Sequence, residues 1–179
     1  MSEEKPKKKR RSKLAVEVNE EEYTKLLGAT DLMHHKIAFM LAWESGFRIS
    51  EIINLKPEDI DVKNNRIRIN NGKGGKDRIV PLPKNWHQDH LKFLPMPCGV
   101  RSLQSGFYKS AEKAGITFNK PTVHVHSLRH GFATHCLRKG VNIRSIQRAL
   151  GHSNLATTSI YLRLSPEEML DEIKFKAHS

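Results

Sequence analysis

From Leu14 onward the chain switches between two hydrophobic periods, and each switch marks an element. Tyr23, Leu26 and Leu27 recur at helical spacing behind Asn19 and Glu20 to Glu22. The asparagine suits an N-cap, the acids suit the positive end of a helix, and Gly28 is expected to end it. Lys36 to Glu44 is apolar on nearly every side, through Ile37, Ala38, Phe39, Met40, Leu41, Ala42 and Trp43. Such a run predicts a helix inside the core, with Trp43 packed there. Ser45-Gly46-Phe47 interrupts it. Helical spacing then resumes from Arg48 to Leu55 through Ile49, Ile52, Ile53 and Leu55, until Pro57 stops it.

The period then shortens. Ile60 to Val62, Arg66 to Ile69 and Arg78 to Leu82 are short β-type runs, which predict a small antiparallel meander of three strands. Its second connection, Asn70 to Asp77, holds Gly72, Gly74 and Gly75 beside Lys73 and Lys76. Taken alone it is a hairpin turn with solvated lysines; it is no Walker loop, since no Ser or Thr follows the lysine and both flanks read as strand. Residues 83–121, punctuated by Pro83, Pro95 and Pro97, say little beyond a helix from about Ser102 to Ala114 ended by Gly115. Helices follow from Ser127 to Lys139, with Leu128, Phe132, Ala133, Cys136 and Leu137 inward, and from Ile143 to Leu150, capped by Asn142 and closed by Gly151. That pair with its glycine-containing turn also fits a helix-turn-helix reader of DNA. A short helix from about Leu155 would carry Tyr161, and Ser165-Pro166-Glu167-Glu168 is a capping box opening a last helix through Leu170, Ile173 and Phe175. The fold class is therefore α+β, mostly helical, with one small antiparallel sheet.

Composition sharpens this picture. The 179 residues fit one domain with a real core, and a net charge of +12 makes a polyanion, nucleic acid before membrane, the first partner to consider. Seven basic residues against Glu3 and Glu4 put +5 of that charge in residues 1–13. A charged tail with Pro6 and no apolar side chain after Met1 is expected to be disordered, and Lys7, Lys8, Lys9, Arg10 and Arg11 are its candidate DNA contacts. A solubilising charge run and a nuclear-import address are competing readings of the same residues. No leader and no apolar run long enough to span a bilayer occurs, so a cytoplasmic, nucleoid-associated protein without membrane contact is expected, ahead of nuclear import. Cys98 and Cys136 fit no disulfide framework.

The candidate chemistry is cationic. His126 precedes Arg129 by three residues, His152 follows, and Tyr161 closes the set. Cations around one hydroxyl suit a negatively charged substrate attacked by that hydroxyl. Arg48 at a helix start has two readings, an ion-pair partner of Glu51 or Glu58 or a ligand of an anion. Singly, His126, His130, His135 and Tyr161 would be structural residues, and His124-Val125-His126 lacks further ligands for a metal. No metal and no cofactor is expected.

Four motifs together change the weight of these residues: Ser45-Gly-Phe-Arg48-Ile-Ser-Glu51; Gly72-Lys73 through Leu82; His126-Ser-Leu-Arg129 through His135; and Leu150-Gly-His152-Ser with Tyr161. From about Leu14 to the C-terminus the chain resembles the tyrosine recombinases, or phage integrases, and their Xer-type members most closely. The resemblance implies a recombinase catalytic domain over residues 14–179, without the N-terminal core-binding domain that members usually carry. It implies catalytic roles for Arg48, Lys73, His126, Arg129, His152 and Tyr161. Tyr161 would attack a phosphodiester of double-stranded DNA to form a 3′-phosphotyrosyl link, while Arg48 and Arg129 grip the non-bridging oxygens. His126 is the candidate base, Lys73 the candidate acid with Lys76 its rival, and His152 a hydrogen-bond donor to phosphate; Glu51 orients Arg48 and His130 supports the site from behind. A homotetramer on DNA, coupled through the C-terminal helix, and a separate DNA-clamping partner are further implications. The competing functions are a non-cleaving DNA-binding regulator on the same fold and a type IB topoisomerase-like nicking and resealing enzyme.

Overall fold

A computed structural model describes residues 15–70 and 77–151. The basic tail, the hairpin connection with Lys73 and Lys76, and the stretch from His152 through Tyr161 to the last helix lie outside the described residues.

Helix α1 (Glu20–Ala29) starts as its sequence predicts: Asn19 accepts the Glu22 N–H and Glu22 accepts the Asn19 N–H, each at 2.9 Å. It does not end at Gly28. The helix runs one residue further because Thr30 caps it, its hydroxyl donating to the Leu26 carbonyl at 2.7 Å. With that carbonyl satisfied by a side chain, no left-handed glycine is needed.

Helix α2 (Met33–Glu44) forms the centre, with every residue from Ile37 to Trp43 buried. Trp43 stacks on Tyr23 at 4.3 Å between ring centroids, and its indole N–H donates to the Val18 carbonyl at 3.0 Å, so the ring is buried without an orphan donor. The next helix, α3, is shorter than the spacing suggested, Ile49–Ile52 rather than Arg48 to Leu55. Pro57 biases the preceding residue away from helix, and the Asn54 side-chain amide donates back to the Ser50 carbonyl at 2.8 Å. Ile49, Ile52 and Leu55 still face the core.

A 3-10 turn at Pro57–Asp59 leads into the expected meander of β1 (Ile60–Asp61), β2 (Arg66–Ile69) and β3 (Arg78–Pro81), ordered β1-β2-β3 and antiparallel. Ile67 and Ile69 point inward while Arg66 and Arg68 point out. Ile69 pairs with Arg78, which fixes both feet of the connection that carries Lys73.

The stretch that said little in sequence contains a 3-10 turn (Gln88–Phe93), α4 (Val100–Lys113) and a four-residue α5 (Ile116–Asn119). Then come α6 (His126–Arg138) and α7 (Ile143–Leu150), close to their predicted limits. Helix α6 lies against α2 at Gly131, where an added Cβ would overlap the Val18 carbonyl oxygen and stand 2.8 Å from the Trp43 indole nitrogen. That close approach sets the depth at which His126 and Arg129 sit. Among the described residues no helix is long and apolar enough to cross a membrane.

Candidate active site

The site is assembled at the C-terminus of α7. A helix leaves its last carbonyls without intrahelical donors and gathers partial negative charge there. Three arginines from three other elements supply the donors. The Ala149 carbonyl accepts from Arg78 Nε at 2.7 Å, the Leu150 carbonyl from Arg129 Nη2, and the Gly151 carbonyl from Arg48 Nη2 at 3.3 Å. Strand β3, helix α6 and the start of α3 are thereby tied to one helix end. Gly151 takes φ +60°, the left-handed conformation that ends α7.

Arg129 is buried, 7% exposed, and also donates to the Gly46 carbonyl. Gly46 sits at φ +70°, and a Cβ there would come 2.7 Å from the Phe132 ring. The Ser45-Gly46-Phe47 break is therefore the turn that presents a carbonyl to one arginine and starts the helix capped by the other.

Arg48 settles between its two earlier readings. It pairs with Glu51, Nη1 to Oε1 at 2.8 Å, and Glu51 Oε2 accepts the Arg48 backbone N–H at 2.8 Å. Glu58 instead lies 3.7 Å from Lys56. The pair with Glu51 leaves the Arg48 side chain 20% exposed, so it is held and still reachable. Burial opposes the Glu51 charge, but hydrogen bonds from Arg78 and Arg48 outweigh it and lower its pKa from 4.5 to about 2.

His126 and Arg129 share a face of α6 because they are three residues apart. Partial loss of hydration, then the charges of His124, Arg129 and Arg48, lower the His126 pKa below 6.5. The ring is thus neutral at neutral pH, the state in which it accepts a proton. Its neighbour His130 is pushed further, to about 4, by burial and then by the nearby His124, His126 and Arg129. His135 faces elsewhere, 4.8 Å from the Trp43 ring and 3.7 Å from Glu20, and is structural. Of the six predicted catalytic residues, the described structure brings Arg48, His126 and Arg129 together; Lys73, His152 and Tyr161 lie outside the described residues.

Arg78 was missed. Its sequence signal was available: it shares the inward face of β3 with buried Val80, where an alternating strand places apolar residues.

The family model for the phage integrase family matches residues 17–94 and 95–168. The chain belongs to that family. A tyrosine recombinase of Thermosipho africanus is 37% identical over 177 residues, covering 92% of this chain and 62% of the relative. The crystal structure of a XerA recombinase superposes with a TM-score of 0.72 at 30% identity, over 94% of this chain and 66% of that one. The catalytic domain of bacteriophage HP1 integrase gives 0.64 at 25% identity, over 89% of this chain and 94% of that domain. The fold is therefore that of a phage integrase catalytic domain. The chain spans about three-fifths of the length of the curated relatives it matches.

Proposed function

We propose that this chain cleaves and rejoins DNA strands in site-specific recombination, with Tyr161 as the nucleophile. The observation that carries the reading is the convergence of Arg48 and Arg129 on the last two carbonyls of the α7 turn, beside His126, whose surroundings disfavour its charged form. Two fixed guanidinium groups bind the non-bridging oxygens of a phosphodiester and stabilise the charge that grows there, without a metal ion. Tyr161 oxygen bonds to phosphorus as its proton passes to His126. The 5′ oxygen leaves and takes a proton from Lys73 or Lys76, while His152 donates to the phosphate. Bond energy is kept in the 3′-phosphotyrosyl link, so another 5′-hydroxyl reverses the step and joins new strands.

Double-stranded DNA is the partner, favoured by the net charge of +12. Residues 1–13 act as a backbone-contacting arm ahead of a catalytic domain at 14–179. A tetramer coupled through the C-terminal helix, with a DNA clamp on the opposite face, completes the assembly.

The test is covalent trapping on a nicked duplex from the chain's genomic neighbourhood, in magnesium-free buffer. The wild type is expected to form an adduct that Tyr161→Phe does not. Binding without an adduct, on DNA shown to contain the cognate site, would overturn the reading in favour of a regulator. Relaxation of supercoils without a second site would favour a nicking and resealing enzyme.

A further inference from the structure

His34 and His35 lie in the first turn of α2, and Cys98 lies just before α4. The fold brings one ring nitrogen of each histidine and the Cys98 sulfur within 4.8 Å of one another. The two imidazoles meet edge to face, with centroids 4.6 Å apart.

Two features go against local stability to hold this arrangement. His35 is only 6% exposed on the central helix, where an apolar side chain would need no polar partner. Its ring also occupies a niche opened by Gly106 in the interior of α4, where an added Cβ would overlap the imidazole. A glycine weakens a helix interior relative to alanine, so the niche is bought with helix stability. Ser102 of α4 borders the group, its hydroxyl 3.3 Å from His35 Nε2 and within hydrogen-bonding reach of the Cys98 sulfur, and a metal on Nε2 would displace that contact.

Two imidazoles and a thiol are a donor set for zinc-type metals rather than for magnesium or calcium. We propose that His34, His35 and Cys98 form a binding site for one divalent transition metal of the zinc class, stapling the segment before α4 to the first turn of α2. Metal–ligand bonds of about 2.0–2.3 Å put tetrahedral ligands roughly 3.3–3.8 Å apart, so the donors must close by about 1 Å. His35 is fixed by its niche; the movement falls to His34 and Cys98, both half-buried at the edge of an element. Cys98 releases its thiol proton to solvent as the metal–sulfur bond forms, with no change of oxidation state. Three protein ligands leave the fourth position to water.

Cobalt(II) added to the purified full chain is the probe. One equivalent is expected to give a tetrahedral visible spectrum with a strong sulfur-to-cobalt charge-transfer band, and zinc is expected to displace it and raise the thermal midpoint. Cys98→Ser removes the band and Cys136→Ser keeps it. His34→Gln, which changes only a half-buried ligand and guards against a misfolded Cys98→Ser, weakens cobalt binding by more than roughly tenfold. The proposal fails if the wild type gives only a weak octahedral spectrum. It fails equally if the band survives Cys98→Ser, vanishes in Cys136→Ser, or is bound unchanged by His34→Gln.

Discussion

Arg78 holds Glu51 by both carboxylate oxygens, Nη1 to Oε1 at 2.9 Å and Nη2 to Oε2 at 2.7 Å. Glu51 in turn holds Arg48. One part-buried carboxylate therefore relays the position of β3, at the foot of the lysine-bearing connection, to an arginine proposed to grip phosphate. Removing Arg78 leaves that carboxylate with half its donors. Arg78→Ala is expected to destabilise the fold by about 3 kcal/mol, the usual scale for breaking a buried pair. Glu51→Gln keeps the shape but frees Arg48, and is expected to slow adduct formation roughly 10- to 100-fold while DNA affinity changes little. Urea titration reads the first, and single-turnover trapping beside a binding isotherm reads the second.

His130 and Glu51 shape how stability responds to acid. His130 has its pKa lowered from 6.5 to about 4, so below pH 6.5 the unfolded chain takes up a proton that the fold resists. Stability therefore falls as pH drops from 6.5 to about 4. Glu51 acts in a lower window: its stabilisation is full above pH 4.5 and is lost as pH falls through about 2. Urea midpoints measured from pH 7 down to pH 2 are expected to show both declines, and His130→Gln is expected to flatten only the upper one.

Two glycines in helices should respond to alanine with opposite signs. At Gly131 the new methyl would overlap the Val18 carbonyl oxygen, which also accepts the Trp43 indole proton, so the α2–α6 contact must open. A loss of roughly 1–3 kcal/mol is expected. At Gly28 nothing lies within 4 Å of an added Cβ, and the residue is inside α1. Alanine there is expected to stabilise by about 0.5–1 kcal/mol. Thermal melts of the two variants side by side check both signs.

What the sequence disclosed and what it hid divide by range. Local signals were readable: the Asn19 capping box, the alternation of Ile67 and Ile69 against Arg66 and Arg68, and the Gly151 stop after α7 each depend on neighbours a few residues away. Gly28 misled because the signal that mattered, the Thr30 hydroxyl reaching back to Leu26, competes with a glycine stop and wins. Arg48, His126 and Arg129 were singled out through motifs, but the scaffold that holds them was not. The carbonyls of residues 149–151 have no side-chain signature, and Arg78 reaches Ala149 across 71 positions. His35 and Cys98 are likewise joined only by the packing of α2 on α4, so no spacing rule flags them.

The charge around His126 yields a prediction that separates free protein from its DNA complex. In the free chain, lost hydration and then the neighbouring His124, Arg129 and Arg48 hold its pKa below 6.5, so the neutral base persists into mildly acid solution. A phosphodiester seated on Arg48 and Arg129 brings negative charge beside the same ring and favours the imidazolium, which moves the pKa back up. Trapping rates at subsaturating DNA report the free protein, and rates at saturation report the complex. The acid limb is therefore expected below pH 6.5 at low DNA and at higher pH when DNA saturates. Arg48→Gln should raise the His126 pKa of the free chain, read by imidazole NMR titration. Coincident limbs at low and saturating DNA would mean that a group other than His126 is the base.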